Sequence, residues 1–285
     1  MAPLLVLTLT LTLALALPRA CHADSEAPSV DREAEDLGGL PADERWMELT
    51  FRPLAVALFG SVKHGPRGQT ERLDLRGDLD IGPFYPGLMA GFAMRHGRYS
   101  FGLEGLWLGS PSSNSKRRRE AVTLFNKRRF PRGSVTRSRL SLQWLRLDVG
   151  YAFFTDIARV ELLLGAREIW SSVEVSGAGQ HTVVRQRVTQ LFFPGVAVDL
   201  RLAQRWRLRF ETRNSFLSEP LGSRVDDIRL YITWVGDAWR LGVGGHLMEF
   251  TMVRSKDDVF GDKVNNYRQL KLRGGALSVQ VALRF

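Results

Sequence analysis

Cysteine is almost missing from this chain: 285 residues hold one, Cys21. A disulfide framework and a cysteine zinc site are both excluded. Long apolar runs are nearly as scarce. Beyond Pro3 to Leu17, PLLVLTLTLTLALAL, no segment offers the ~20 consecutive apolar residues of a spanning helix. A helical membrane protein is therefore excluded. Acid is in deficit, with 30 Asp and Glu against 40 Lys and Arg, a net charge of +10. What remains is 44% hydrophobic, with 27 Gly, 16 Phe and 7 Trp. That is too apolar and aromatic for a disordered chain.

The first apolar run has the length of a signal-peptide core, and Cys21-His22-Ala23 puts small residues at −3 and −1 of a cleavage site. A charged n-region is absent. Pro18-Arg19-Ala20 lacks the aliphatic residue that lipidation of Cys21 would want. Residues 1–23 are thus expected to be a cleaved export signal. The remainder then has no cysteine to misoxidise outside the cytoplasm. Residues 24–44 are acidic and without apolar period, which predicts a disordered linker before a domain at 45–285.

From Trp46 onward the apolar period is 2. In VDDIRLYITWV, Ile228, Leu230, Ile232 and Trp234 fall on one face, and Asp227, Arg229, Tyr231 and Thr233 on the other. Only a strand separates them so. Ten strands are predicted: 46–63, 85–95, 99–109, 137–153, 158–176, 184–202, 205–218, 225–235, 239–254 and 267–285, with eight as the rival count. Long and short gaps alternate. That is the habit of an up-and-down sheet with tight turns at one end and loops at the other, as in outer-membrane barrels. The fold class is therefore all-β, an antiparallel transmembrane barrel. A soluble sandwich would show the same alternation, but aromatic placement separates the two. Tyr99, Tyr151, Phe153, Trp206, Trp234, Trp239 and Phe285 lie on apolar faces beside short turns or the C-terminus. A girdle at one level suits a membrane–water interface. The last strand carries Leu277, Val279, Val281, Leu283 and Phe285 on one face, close to the ~9–11 residues that cross a bilayer.

The ending LSVQVALRF resembles the C-terminal signature of bacterial outer-membrane β-barrels. LAVALFGSVKHG, YSFGLEGLWLG, LRLDVGYAFF and VELLLGAREIW resemble strands of small OmpA/OmpW-like barrels. The resemblance implies a Gram-negative outer-membrane location, and that Phe285 is read by the insertion machinery. It says little of activity.

With apolar faces toward lipid, the inward residues include Glu104, Arg146, Asp148, Glu161, Arg167, Asp199, Arg201, Arg207, Arg209, Glu211, Arg213, Asp227, Arg229, Arg240, His246 and Arg284. An ion-pair network that fills the lumen is expected. An acid–base set of His246 with Glu161 or Asp227 is the rival, without a recognisable enzyme motif. Glu168 and Glu249 fall on the lipid-facing parity, so they should sit at the outer interface or mark a bulge. A phase change at Pro53 and Leu54 predicts a bulge in the first strand. Gly242, Gly244 and Gly245 read as close packing or a bend.

No cofactor or metal is expected, and Asp257, Asp258 and Asp262 read as a solvated loop. Most of the excess charge lies in one loop, 110–136. Lys116, Arg117, Arg118, Arg119, Lys127, Arg128, Arg129 and Arg132 face the single acid Glu120 there. On an exported chain these are poor nucleic-acid patches and better contacts for lipopolysaccharide phosphates. Between them, residues 121–125 are apolar enough to lie at the interface or extend a strand. The expected protein is a monomeric, non-enzymatic outer-membrane barrel with a plugged, charged lumen and a structural or surface-interaction role. Its expected partners are lipid, lipopolysaccharide and the insertion machinery. A narrow pore for small solutes, or an enzyme acting on lipid or peptide, are the alternatives.

Overall fold

The computed structural model describes residues 45–65, 71–79, 81, 83–109, 113–115, 122–124, 128–130, 136–155, 157, 158–177, 179–215, 217–219, 223–254 and 267–285. The export signal and linker expected of residues 1–44 lie outside these. Ten strands form the barrel. They are β1 (Arg45–Gly65), β2 (Phe84–His96), β3 (Tyr99–Gly109), β4 (Thr136–Phe154), β5 (Ala158–Gly177), β6 in two parts (Gln180–Phe192 and Gly195–Arg201), β7 (Trp206–Asn214, continued by Leu217–Glu219), β8 (Arg224–Val235), β9 (Trp239–Arg254) and β10 (Tyr267–Arg284). Each pairs antiparallel with the next. β10 returns to β1, from Glu48↔Arg284 to Gly65↔Tyr267, which closes the wall. Phe285 N donates to Met47 O at 2.9 Å and continues that seam. A closed wall leaves no edge strand for lipid to meet.

Short turns and both barrel termini share one end, the turn end. The longer connections share the other, the loop end. The predicted strand positions match closely, but four details differ. Residues 177–183 were expected as a loop, yet Gly177 of β5 already pairs with Gln180 of β6. Gly179, at φ 72, takes the left-handed backbone that so tight a turn requires. Strict alternation of long and short connections ends there. β6 was expected as one strand, but its pairing with β5 shifts by one residue between Gln190↔Arg167 and Gly195↔Leu163. This bulge flips the parity. Above it Val184, Gln186, Val188 and Gln190 face inward, and below it Phe193, Ala197 and Asp199 do.

β1, in contrast, has no bulge. Its register against β2 is constant from Arg45↔His96 to Ala57↔Phe84. Against β10 the pairing lapses at Arg52 and Pro53 and resumes unshifted at Leu54↔Ser278. Proline removes a donor from the ladder without displacing it.

The first long connection is also structured. Glu71–Asp74 pairs with Ser61–His64 of β1. A turn follows in which Asp74 Oδ1 accepts from the N–H groups of Arg76 (2.9 Å) and Gly77 (2.7 Å). This side-chain turn is the usual work of Asp. It sends Leu75, Leu79 and Ile81 into the barrel, where they are buried.

Candidate functional site

Inward residues alternate with outward ones on every strand, and the interior they fill has two layers. Toward the turn end lies an ionic layer. Glu104 on β3 accepts two bonds from Arg229 on β8, at 2.7 and 2.9 Å, and another from Arg52 on β1 at 3.0 Å. Arg229 also holds Asp227, at 2.9 and 3.1 Å. Arg146 reaches Asp148 at 2.8 Å and Glu104 at 3.3 Å. Arg213 bridges Asp148 (2.5 Å) and Glu211 (2.7 Å). Arg209 joins Glu211 (3.2 Å) to Asp199 (2.9 Å), where Arg159 also binds at 2.5 Å. Arg95 on β2 meets Glu161 on β5 at 3.0 Å.

The network thus ties together strands from every side of the wall. Removing one partner of such a buried pair leaves an uncompensated charge, at a cost of ~3–5 kcal/mol. Space for these side chains is left by glycine. A Cβ at Gly244 would collide with the Tyr231 ring, and Arg52 stacks on that ring at 5.0 Å.

Toward the loop end the same inward parity carries apolar residues. Leu54, Val56 and Leu58 of β1, Leu140, Leu142 and Trp144 of β4, Met248, Phe250 and Met252 of β9, and Leu270 and Leu272 of β10 form one buried cluster. Leu73, Leu75, Leu79 and Ile81 of the first long connection are buried in the same cluster. Arg167 lies at the boundary. Its guanidinium stacks on Phe193 at 3.7 Å and on Trp144 at 5.2 Å, and stands 3.7 Å from Asp227. Cation–π attraction is the main contact of this buried cation.

The outward face is apolar between two belts. At the turn end the seven expected aromatics all point outward, with Tyr99 and Tyr151 5.4 Å apart edge to face. At the loop end Phe59, Phe84, Trp107, Trp170 and Phe192 form a second, unexpected belt. The apolar run between belts is nine to eleven residues, as from Gly275 to Phe285 on β10, Trp239 to Leu247 on β9 and Ala158 to Ala166 on β5. That matches the ~9–11 residues a tilted strand needs. The two carboxylates of lipid-facing parity sit at its outer limit and are paired. Glu249 meets Arg273 at 2.8 Å, and Glu168 meets Arg187. No bulge is needed at either. Above Glu168, β4, β5 and β6 project further, and Arg139, Glu174 and Arg185 face outward there.

Of the residues expected inside, Glu104, Arg146, Asp148, Glu161, Asp199, Arg209, Glu211, Arg213, Asp227 and Arg229 are in the network. Arg201, Arg207, Arg240 and Arg284 lie toward the turn end on the inward parity. His246 Nε2 is 2.5 Å from Asp227 Oδ1, with Trp144 edge-on at 6.1 Å. Its pairing is with Asp227, and Glu161 binds elsewhere. Glu48, Arg52, Arg95 and Arg159 are interior residues that the sequence reading passed over, although they share the parity of the rest. In the long basic loop, Lys116, Arg117, Arg118, Arg119, Lys127 and Arg132 lie outside the described residues. Arg128 and Arg129 belong to a ribbon in which Arg128–Phe130 pairs with Val122–Leu124. Asp257, Asp258 and Asp262 are also outside the described residues.

The sequence matches no family model and no curated protein. Solved structures do match. The outer membrane protease OmpT from Escherichia coli aligns over 88% of this chain and 99% of its own, with TM-score 0.54 and 10% identity. Neisserial surface protein A aligns over 84% and 97%, with TM-score 0.35 and 12% identity. Ail from Yersinia pestis aligns over 85% and 99%, with TM-score 0.33 and 8% identity. The likeness to OmpT is one of fold. Together with the closed ten-stranded wall and its apolar exterior, it makes this chain an outer-membrane-type β-barrel protein.

Proposed function

We propose that the protein is an integral outer-membrane barrel that neither conducts nor catalyses, and that it works through its outer surface. The observation that carries this reading is the apolar cluster across the loop-end half of the lumen, with Leu73, Leu75, Leu79 and Ile81 buried in it. Water and ions do not pass a packed apolar layer. The test is planar-bilayer conductance. No steady current is expected, and a stable channel of large conductance would overturn the reading.

The fold likeness to a protease, and the His246–Asp227 pair, favour one second reading, a hydrolase. Against it stands burial. Both side chains are sealed beneath Trp144 and Phe250, and neither lines the interior cavity. A substrate has no route to them. Peptide cleavage by purified protein that is lost in His246→Ala would reverse this preference.

The surface role is contact with the anionic outer leaflet. Beyond the basic loop, Arg187 faces outward level with Trp170, and Arg139 and Arg185 face outward just above it. Headgroup phosphates lie at that height, and Arg forks suit them. Salt-sensitive binding to lipopolysaccharide is expected, and it should weaken when both loop clusters are neutralised. Phe285 is proposed to act as an assembly signal for the insertion machinery. Its deletion should lower outer-membrane levels more than it slows refolding into detergent.

A further inference from the structure

The ionic layer is not a balanced salt. Around a cavity of about 130 Å³ it presents nine arginines and six carboxylates, with no lysine or histidine. The excess is concentrated at the turn end. There Arg95, Arg240 and Arg284 surround the inward ring of Trp46, at 5.8, 5.9 and 5.4 Å from its centre. Glu48 stands 3.3 Å from Arg240, and Glu161 3.0 Å from Arg95. Arg95 is buried, yet its Nε and Nη1 have no hydrogen-bond partner, and the same holds for Arg240 Nε. Buried donors of a charged group are costly to leave unmatched. Water can supply lone pairs to them, but it brings no negative charge to a lining in which arginines outnumber carboxylates.

We propose that this inner mouth is a binding pocket for a small tetrahedral oxyanion of the phosphate class. Three properties select that ligand. A tetrahedral anion offers lone pairs in several directions, so more than one guanidinium donates to it at once. The cavity, about 130 Å³, has room for the five heavy atoms of such an anion among its guanidinium donors. The apolar layer above makes the pocket a dead end, so the ion is bound and not transported. Access from the periplasm rests on the orientation proposed above, but binding itself does not.

The experiment is calorimetric titration of the purified protein in detergent with inorganic phosphate, against chloride at equal ionic strength. Saturable, one-to-one binding of phosphate is expected, with sulfate competing. Arg95→Gln and Arg240→Gln should each weaken it at least tenfold. Replacing the outward arginines (Arg139→Gln, Arg185→Gln, Arg187→Gln together) should leave it unchanged, which separates this pocket from headgroup contacts on the outer wall. Should the inner variants fail to fold, competition by sulfate on the unaltered protein still decides. Heats that do not distinguish phosphate from chloride overturn the proposal. So does a folded Arg95→Gln variant that binds like the parent, or loss of binding in the outward variant. A conducting barrel that still binds phosphate would sink the sealed lumen and leave the pocket standing.

Discussion

The two halves of the lumen are built on the same strands, with the same inward parity on all but β6, and filled by opposite chemistry. Below, guanidinium and carboxylate groups cross the barrel in pairs. Above, leucine, valine, methionine and three aromatics pack with an inserted turn. The halves must fail in different ways. An apolar layer loses stability in proportion to removed volume. An ionic layer depends on matched partners, so a single deletion costs more than removal of a whole pair.

The largest effect should come from Arg229→Met. It removes the four bonds by which Arg229 holds Glu104 and Asp227 together, leaving Glu104 to Arg52 and Arg146 and Asp227 to His246 and Arg167, and about 3–5 kcal/mol should be lost. The measurement is the shift in the temperature at which unheated mobility on SDS gels is lost. Adding Glu104→Leu to Arg229→Met should recover part of that loss, whereas two lesions in the apolar layer would add. A further decrease in the double variant would show that the network is not organised by pairs.

Next comes Leu79→Ala, in the inserted turn. Leu79 is fully buried, and the cavity left behind should cost about 3 kcal/mol. If it costs nothing in the same assay, residues 73–81 are not part of the packed interior. Gly244→Ala should cost ~1–3 kcal/mol by overpacking against Tyr231. Tyr231→Ala in the same chain should relieve only part of that clash, because the Leu230 carbonyl also meets the added Cβ. The smallest effect belongs to the outer wall. Glu249→Gln breaks an exposed pair with Arg273, and such pairs contribute ~0–1 kcal/mol. A larger loss there would mean that Glu249 lies within the lipid-facing band.

Much of the barrel was legible because strand period and lipid contact both act locally. Outward apolar residues alternate with inward Arg, Asp and Glu on β7 and β8, and with small or polar residues on β10, which reads as strand, and aromatic placement then separates a barrel from a sandwich. The turn-end girdle followed from the same parity. The apolar half of the lumen was not legible, because there both faces of a strand are apolar and alternation fades. β1 shows this best. Trp46, Glu48, Thr50 and Arg52 face inward, then Leu54, Val56 and Leu58 do, all on one parity. In the sequence that switch looks like a slipped register at Pro53. In the structure it is the border between the two layers. The inserted turn was hidden for a related reason. LDLRGDLDIG carries turn residues and alternating Leu, but its partner is the far interior of the barrel, which no local pattern names. The bulge of β6 depends on Phe193 exchanging backbone hydrogen bonds with Gly165 of β5, again a contact between distant residues. The pairs Arg229–Glu104 and Arg213–Asp148 were present as residue types, but which charge meets which follows from the shear of the closed wall.

The division of the lumen is tested most directly by thiol accessibility. The chain from residue 24 onward has no cysteine, so single cysteines can be placed without background. Thr50→Cys lies beside the polar cavity and Leu142→Cys lies in the apolar layer. Each protein is refolded into vesicles and exposed to a small, charged methanethiosulfonate on either side. Rapid modification of Thr50→Cys from the turn-end side alone, and none of Leu142→Cys from either side, is the expected result. Equal modification of both would contradict the sealed, two-layered barrel.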